Sequence, residues 1–131
     1  MSEQAEQAPR VAITGWSGCG KTYLSQQYPA VFHADDLIDL GWSEASARLA
    51  ELFDDPAYRT WEGVSIPRAA RKWLRQHKTG RPFDQLIVLT RRQRKPTLAQ
   101  TAQGRGHDRV LREILPELHR RGVVVVMAAK R

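Results

Sequence analysis

A single cysteine, Cys19, occurs in 131 residues. This excludes an intramolecular disulfide and fits a reducing compartment. Long hydrophobic runs are missing too. The longest, Val123–Ala129, falls far short of the ~20 residues that span a bilayer and suits a buried strand. Repeats, low-complexity tracts and long linkers are absent. His33, His77, His107 and His119 stand at no metal-ligand spacing with the cysteine, so neither a zinc site nor a Cys/His nucleophile is indicated. Residues 1–7 are polar and acidic, unlike a secretory signal or transit peptide. The expectation is a loose tail over residues 1–9 and a cytoplasmic protein.

Acidic residues are scarce in the second half. Residues 1–63 hold 4 Lys/Arg and 10 Asp/Glu, a net −6, whereas residues 64–131 hold 17 and 4, a net +13, giving the formal +7. Such asymmetry suits contact with a polyanion, either phosphates or nucleic acid. At 41% hydrophobic and 27% charged, the chain reads as one globular domain over residues 10–131.

The most informative stretch present is Gly15-Trp16-Ser17-Gly18-Cys19-Gly20-Lys21-Thr22. It matches the Walker A pattern G-x-x-x-x-G-K-[ST], and it stands between a strand candidate and a helix candidate, the context the motif requires. Gly15, Gly18 and Gly20 free the backbone so that successive N–H groups can cradle a polyphosphate. The N-terminus of the following helix adds partial positive charge. Lys21 can reach the β- and γ-phosphates, the Thr22 hydroxyl can ligate Mg²⁺, and the nucleotide site extends to Tyr23. Trp16 is too bulky for the cradle and must point out of it, to contact a base or cover the loop.

Strand candidates follow at Arg10–Thr14, Val31–Ala34, Tyr58–Trp61, Gln85–Thr90 and Val123–Ala129. Between them lie helix candidates: one after the P-loop to about Tyr28, one capped by Ser43 with Ala45, Leu49, Leu52 and Phe53 inward, one from Ile66, and one over His107–Arg121 that Pro116 should kink or divide. In the third, Ile66, Ala70, Trp73, Leu74 and His77 share a face opposite Arg68, Arg71, Lys72, Arg75 and Lys78. That basic stripe is either a solvated helix face or a track for a nucleic-acid backbone. Residues 91–106 are polar, basic and punctuated by Pro96 and Gly104, and read as a mobile lid. Alternating strands and helices imply an α/β fold: a five-stranded parallel sheet with helices on both faces, in three layers. Its ligands bind beyond the carboxyl ends of the strands.

Asp35 and Asp36 follow the second strand. Either carboxylate can position an acceptor hydroxyl and take its proton, and Asp36 is also a candidate for Mg²⁺. Glu62, before Gly63 at the end of the third strand, is the second metal candidate. Among the lid arginines, Arg105 between two glycines is the candidate for neutralising charge on the transferred phosphoryl group, and Arg109 for holding the nucleotide.

In these features the chain resembles the small P-loop kinases: the nucleoside and nucleotide kinases, the shikimate and gluconate kinases, and the polynucleotide 5′-kinase domains. The likeness covers about residues 10–131. Asp35-Asp36 looks like the family's acidic motif after the second strand, Glu62-Gly63 is similar to its acidic-Gly end of the third strand, and Arg105/Arg109 to a reduced lid. The resemblance implies a P-loop NTPase fold that moves the γ-phosphate of ATP·Mg²⁺ to a nucleoside, a nucleotide or a 5′-hydroxyl nucleic-acid end. The sequence departs from the pattern in lacking an aliphatic Walker B strand with a terminal aspartate. Two other classes stay open: a P-loop ATPase coupled to nucleic-acid binding, and a nucleotide-binding module without turnover.

Overall fold

Every residue of β1 (Val11–Gly15) is buried, because this strand lies in the middle of a five-stranded sheet. The computed structural model describes residues 9–16, 21–90 and 95–128. The elements are β1, α1 (Lys21–Ser25), β2 (Val31–His33), a 3-10 helix (Ala34–Leu40), α2 (Trp42–Leu52), β3 (Thr60–Glu62), α3 (Ile66–Gln76), β4 (Gln85–Leu89), α4 (Leu98–Arg120) and β5 (Val124–Ala128). All strand pairings are parallel and the order is β2-β3-β1-β4-β5.

That order distributes the helices. Crossovers between parallel strands are right-handed, so connections running in opposite directions along the sheet lie on opposite faces. Only β1 to β2 runs one way; the other three run back. Accordingly Leu24 of α1 and the nearby Tyr28 pack on Val11, Ile13, Ile87 and Leu89. Residues of α2, α3 and α4 pack on Ala12, Trp61, Leu86 and Val88 from the other side. Both faces of β1 and β4 are therefore apolar, as expected of central parallel strands. β3 lacks aliphatics, yet Trp61 supplies the apolar mass: it is fully buried, stands edge-on to Phe53 at 5.3 Å, and donates its indole N–H to the Leu52 carbonyl.

Three sequence expectations require correction. Residues 98–106 are not a loop: they form the first turns of α4, whose N-cap Thr97 exchanges hydrogen bonds with Gln100 in a capping box. The glycines there disfavour a helix locally, but tertiary packing overrides the penalty. An alanine Cβ at Gly104 would lie 2.1 Å from the Trp16 ring, so only glycine admits the tryptophan. Pro116 does not divide α4. Its missing N–H frees the Arg112 carbonyl, and both residues are exposed to water. β5 is an edge strand rather than a buried one. Val124 and Val126 are 60% and 38% exposed: they share a face with Ala128, and on that face the α1 cluster is built on Val11, Ile13, Ile87 and Leu89 of β1 and β4. Smaller shifts occur elsewhere: α2 starts at Trp42 after Gly41, with Ser43 inside the helix.

Candidate functional site

The strand ends gather around the loop that leaves β1. β1 and β4 are neighbours whose connections depart in opposite directions, which makes the gap between them the switch point where open α/β sheets bind ligands. Gly15 closes β1, Trp16 follows it, and Lys21 opens α1. The Lys21 ammonium donates to the Trp16 carbonyl at 2.9 Å, so the lysine folds back over the loop. Ser17, Gly18, Cys19, Gly20 and the Thr22 side chain lie outside the described residues, as do Arg91, Arg92 and Arg94 of the expected lid and residues 1–8 of the expected tail. Tyr23 is 74% exposed.

Trp16 is held from both sides. Its ring lies flat against Gly104 of α4, and its indole N–H donates to both carboxylate oxygens of Asp108, at 3.1 and 3.2 Å. Of the two options read for Trp16, covering the loop is the one the geometry favours: the residue is buried. Asp108 also meets His107 Nδ1 at 2.9 Å, and His107 Nε2 lies 2.9 Å from the Thr14 hydroxyl, which is 2.8 Å from the Gly63 carbonyl. This buried chain ties the end of β1, the end of β3 and α4 together beneath the loop.

The chain of hydrogen bonds is short of one proton. Thr14 has a single O–H, and both the Gly63 carbonyl and a neutral His107 Nε2 can accept it. A protonated imidazole would donate from both nitrogens and end the competition. Burial opposes that charge: it holds His107 below its ordinary value, against the pull of Asp108 and with the added push of Lys21 and Arg68. A depressed histidine pKa means that the unfolded chain binds the proton more readily. Stability is therefore complete above about pH 6.5 and falls as the pH drops below it. His107→Gln is expected to flatten the thermal-midpoint profile between about pH 5 and 7. An unchanged profile would remove His107 as its source.

The carboxylates separate into two places. Asp35 and Asp36 both lie in the 3-10 helix, not in an extended segment, so they project about 120° apart. Asp35 lines a cleft of about 430 Å³, bordered by Gly41 and Trp42 at the start of α2, Val64 and Ser65 before α3, and Gln103 of α4. Both aspartates are exposed, but Asp36 is not in the cleft wall. Glu62 is in register with Ile13 and with His33, and follows Trp61, which faces α2 to α4. By strand alternation Glu62 points to the α1 face. It is 2% exposed, with Oε2 2.6 Å from His33 Nδ1. Gly63 permits this strand end to lie close to Ala34, whose Cβ would be 2.5 Å from a Cβ added there.

Arg105 and Arg109 sit on α4 and are exposed, in a helix rather than in the expected loop. The residues missed by sequence reasoning are Thr14, Ser65, His107 and Asp108, whereas Arg68 enters it only as part of the basic stripe. His107-Asp108 is a plain adjacent pair, and only the partners brought by β1 reveal it. No group of three or more His, Cys, Asp or Glu able to hold a metal occurs among the described residues. No helix among them is long and apolar enough to cross a membrane.

No protein-family model, curated protein or solved structure matches this chain. The functional reading therefore rests on the motif and the geometry.

Proposed function

We propose that the protein is an ATP-dependent phosphotransferase of the P-loop type, moving a γ-phosphoryl group to a hydroxyl in the Asp35 cleft. The carrying observation is the placement of Lys21, at the head of α1 directly after the Walker A loop leaves the central strand. The cleft with Asp35 in its wall lies at the same end of the sheet.

The donor set suits a magnesium-bound triphosphate. Glu62 is a buried carboxylate on the α1 face, oriented by His33, and Thr22 begins the same helix as Lys21. Glu62 would hold a hard cation such as Mg²⁺, and Thr22, whose side chain lies outside the described residues, is the second oxygen donor that the sequence offers. Mg²⁺, when bound, neutralises charge on the β- and γ-phosphates. Lys21 exchanges its Trp16 carbonyl for phosphate oxygens and stabilises charge on the group in flight. Asp35 orients the acceptor hydroxyl and takes its proton. Trp16, held by Gly104 and Asp108, fixes the point at which the chain leaves β1.

The test is transfer of labelled γ-phosphate to a panel of nucleosides, nucleoside monophosphates, 5′-hydroxyl oligonucleotides and polyols. Asp35→Asn is expected to lower kcat by about 10²–10⁴-fold, with Asp36→Asn much closer to the parent. Label found only as free phosphate, with Asp35→Asn unimpaired, would leave hydrolysis as the activity.

A further inference from the structure

A second groove adjoins the acceptor cleft, and Trp42 is common to both. It measures about 220 Å³ and runs between α2 and α3, lined by Trp42, Ser43, Ser46, Arg68, Arg71 and Lys72. Among the described residues, no carboxylate is in its wall. The Arg68 guanidinium lies over the Trp42 ring, 5.5 Å from its centroid, while Trp42 stays half exposed.

The cations here are under-compensated. Arg71 and Arg75 share one carboxylate, Glu113. The Arg71 Nε is buried with no hydrogen-bond partner among the described residues. Arg68 is pushed below its ordinary value by burial and then by repulsion from Arg71 and Arg109. The start of α2 adds to this. Gly41 before α2 has no side chain to cap the helix, which leaves the first-turn N–H groups at Trp42 and Ser43, residues of the groove wall, for an anion.

We infer that this groove is a phosphate subsite, and that the acceptor is a nucleic-acid 5′ end carrying its hydroxyl toward Asp35, its base beside Trp42 and its first internal phosphate against Arg68, Arg71 and Lys72. The division of charge argues for this order. A carboxylate takes a proton from a hydroxyl but repels a phosphate acceptor, and the phosphate-binding groups lie on the other side of Trp42. A free nucleoside leaves Arg68 and Lys72, which pair with no carboxylate among the described residues, uncompensated. A polyol leaves the aromatic wall unused as well.

The subsite rests on the kinase reading only for the identity of the reacting hydroxyl, so binding is measured first and without ATP. The probes are a 5′-hydroxyl dinucleoside monophosphate and its uncharged methylphosphonate counterpart, followed by tryptophan fluorescence or calorimetry. The charged probe is expected to bind about tenfold more tightly, and Arg68→Gln and Lys72→Gln each to remove most of that difference. The slope of log K against log salt should fall by about 0.7 for each phosphate that a variant no longer neutralises. Unchanged thermal midpoints exclude unfolding as the cause. Equal affinity for the two probes, or variants that keep the discrimination, would overturn the subsite. Discrimination without any phosphoryl transfer would keep the subsite and defeat the kinase reading. Transfer to nucleosides as fast as to oligonucleotides, unaffected by Arg68→Gln, would keep the kinase and defeat the subsite. Preferred transfer to nucleoside 5′-monophosphates would overturn the nucleic-acid assignment.

Discussion

Lys21→Ala is expected to lower γ-phosphoryl transfer by about a thousandfold while leaving the fold intact. The magnitude follows from electrostatic stabilisation of the migrating group, where one preorganised donor in a water-poor site contributes about 10²–10³ or more in kcat. The fold should survive because the Lys21 ammonium donates to the Trp16 carbonyl of an adjacent loop, not to the core. The cores on both sheet faces are built from other residues. Lys21→Arg should recover little, because a planar guanidinium does not replace a compact ammonium. Transfer kinetics and circular dichroism on the same preparations decide the point. A variant with parental kcat/KM would mean that Lys21 does not meet the transferred phosphate.

The second large effect concerns a glycine. Gly→Ala inside a helix ordinarily stabilises by about 1 kcal/mol. At Gly104 the sign is expected to reverse. The new Cβ would fall 2.1 and 2.2 Å from ring atoms of Trp16, and the ring cannot simply slide, since its N–H is held by Asp108. Overpacking of this kind costs about 1–3 kcal/mol, so Gly104→Ala should lower the thermal midpoint despite its better helix propensity. ATP affinity should fall with it, because a displaced Trp16 moves the carbonyl that steadies Lys21. The double variant Gly104→Ala with Trp16→Leu isolates the cause. With the ring removed, the alanine should become neutral or stabilising, an interaction that a double-mutant cycle reads directly. A penalty that persists in the Trp16→Leu background would place its origin in the backbone of α4.

The same two residues show where sequence reasoning stops. Glycine at 104 and 106, among arginines and after Pro96, has the composition of a loop. Local propensity is the only guide there, and it points away from a helix. The helix forms because Trp16, nearly ninety residues earlier in the chain, needs a surface without a Cβ. Asp35 and Asp36 are legible as a pair at a strand end, but not which of them meets the cleft, since that depends on a 3-10 turn replacing extended chain. The seven apolar residues at 123–129 announce a strand. The burial of Val124 and Val126 among them depends on what the short α1 can cover.

The sequence by itself determined the alternation of five strands with helices, the apolar faces of β1, β4, α2 and α3, and the position of the Walker A motif after the first strand. These follow from periodicity and spacing, which are local. Only the tertiary structure decided the strand order β2-β3-β1-β4-β5, the run of α4 through Gly104 and Gly106, and the meeting of Thr14, His107, Asp108 and Trp16. It also set Arg68 over Trp42. Each of these joins residues far apart in the chain, and contact between distant segments is decided by which surfaces fit and which buried polar groups find partners.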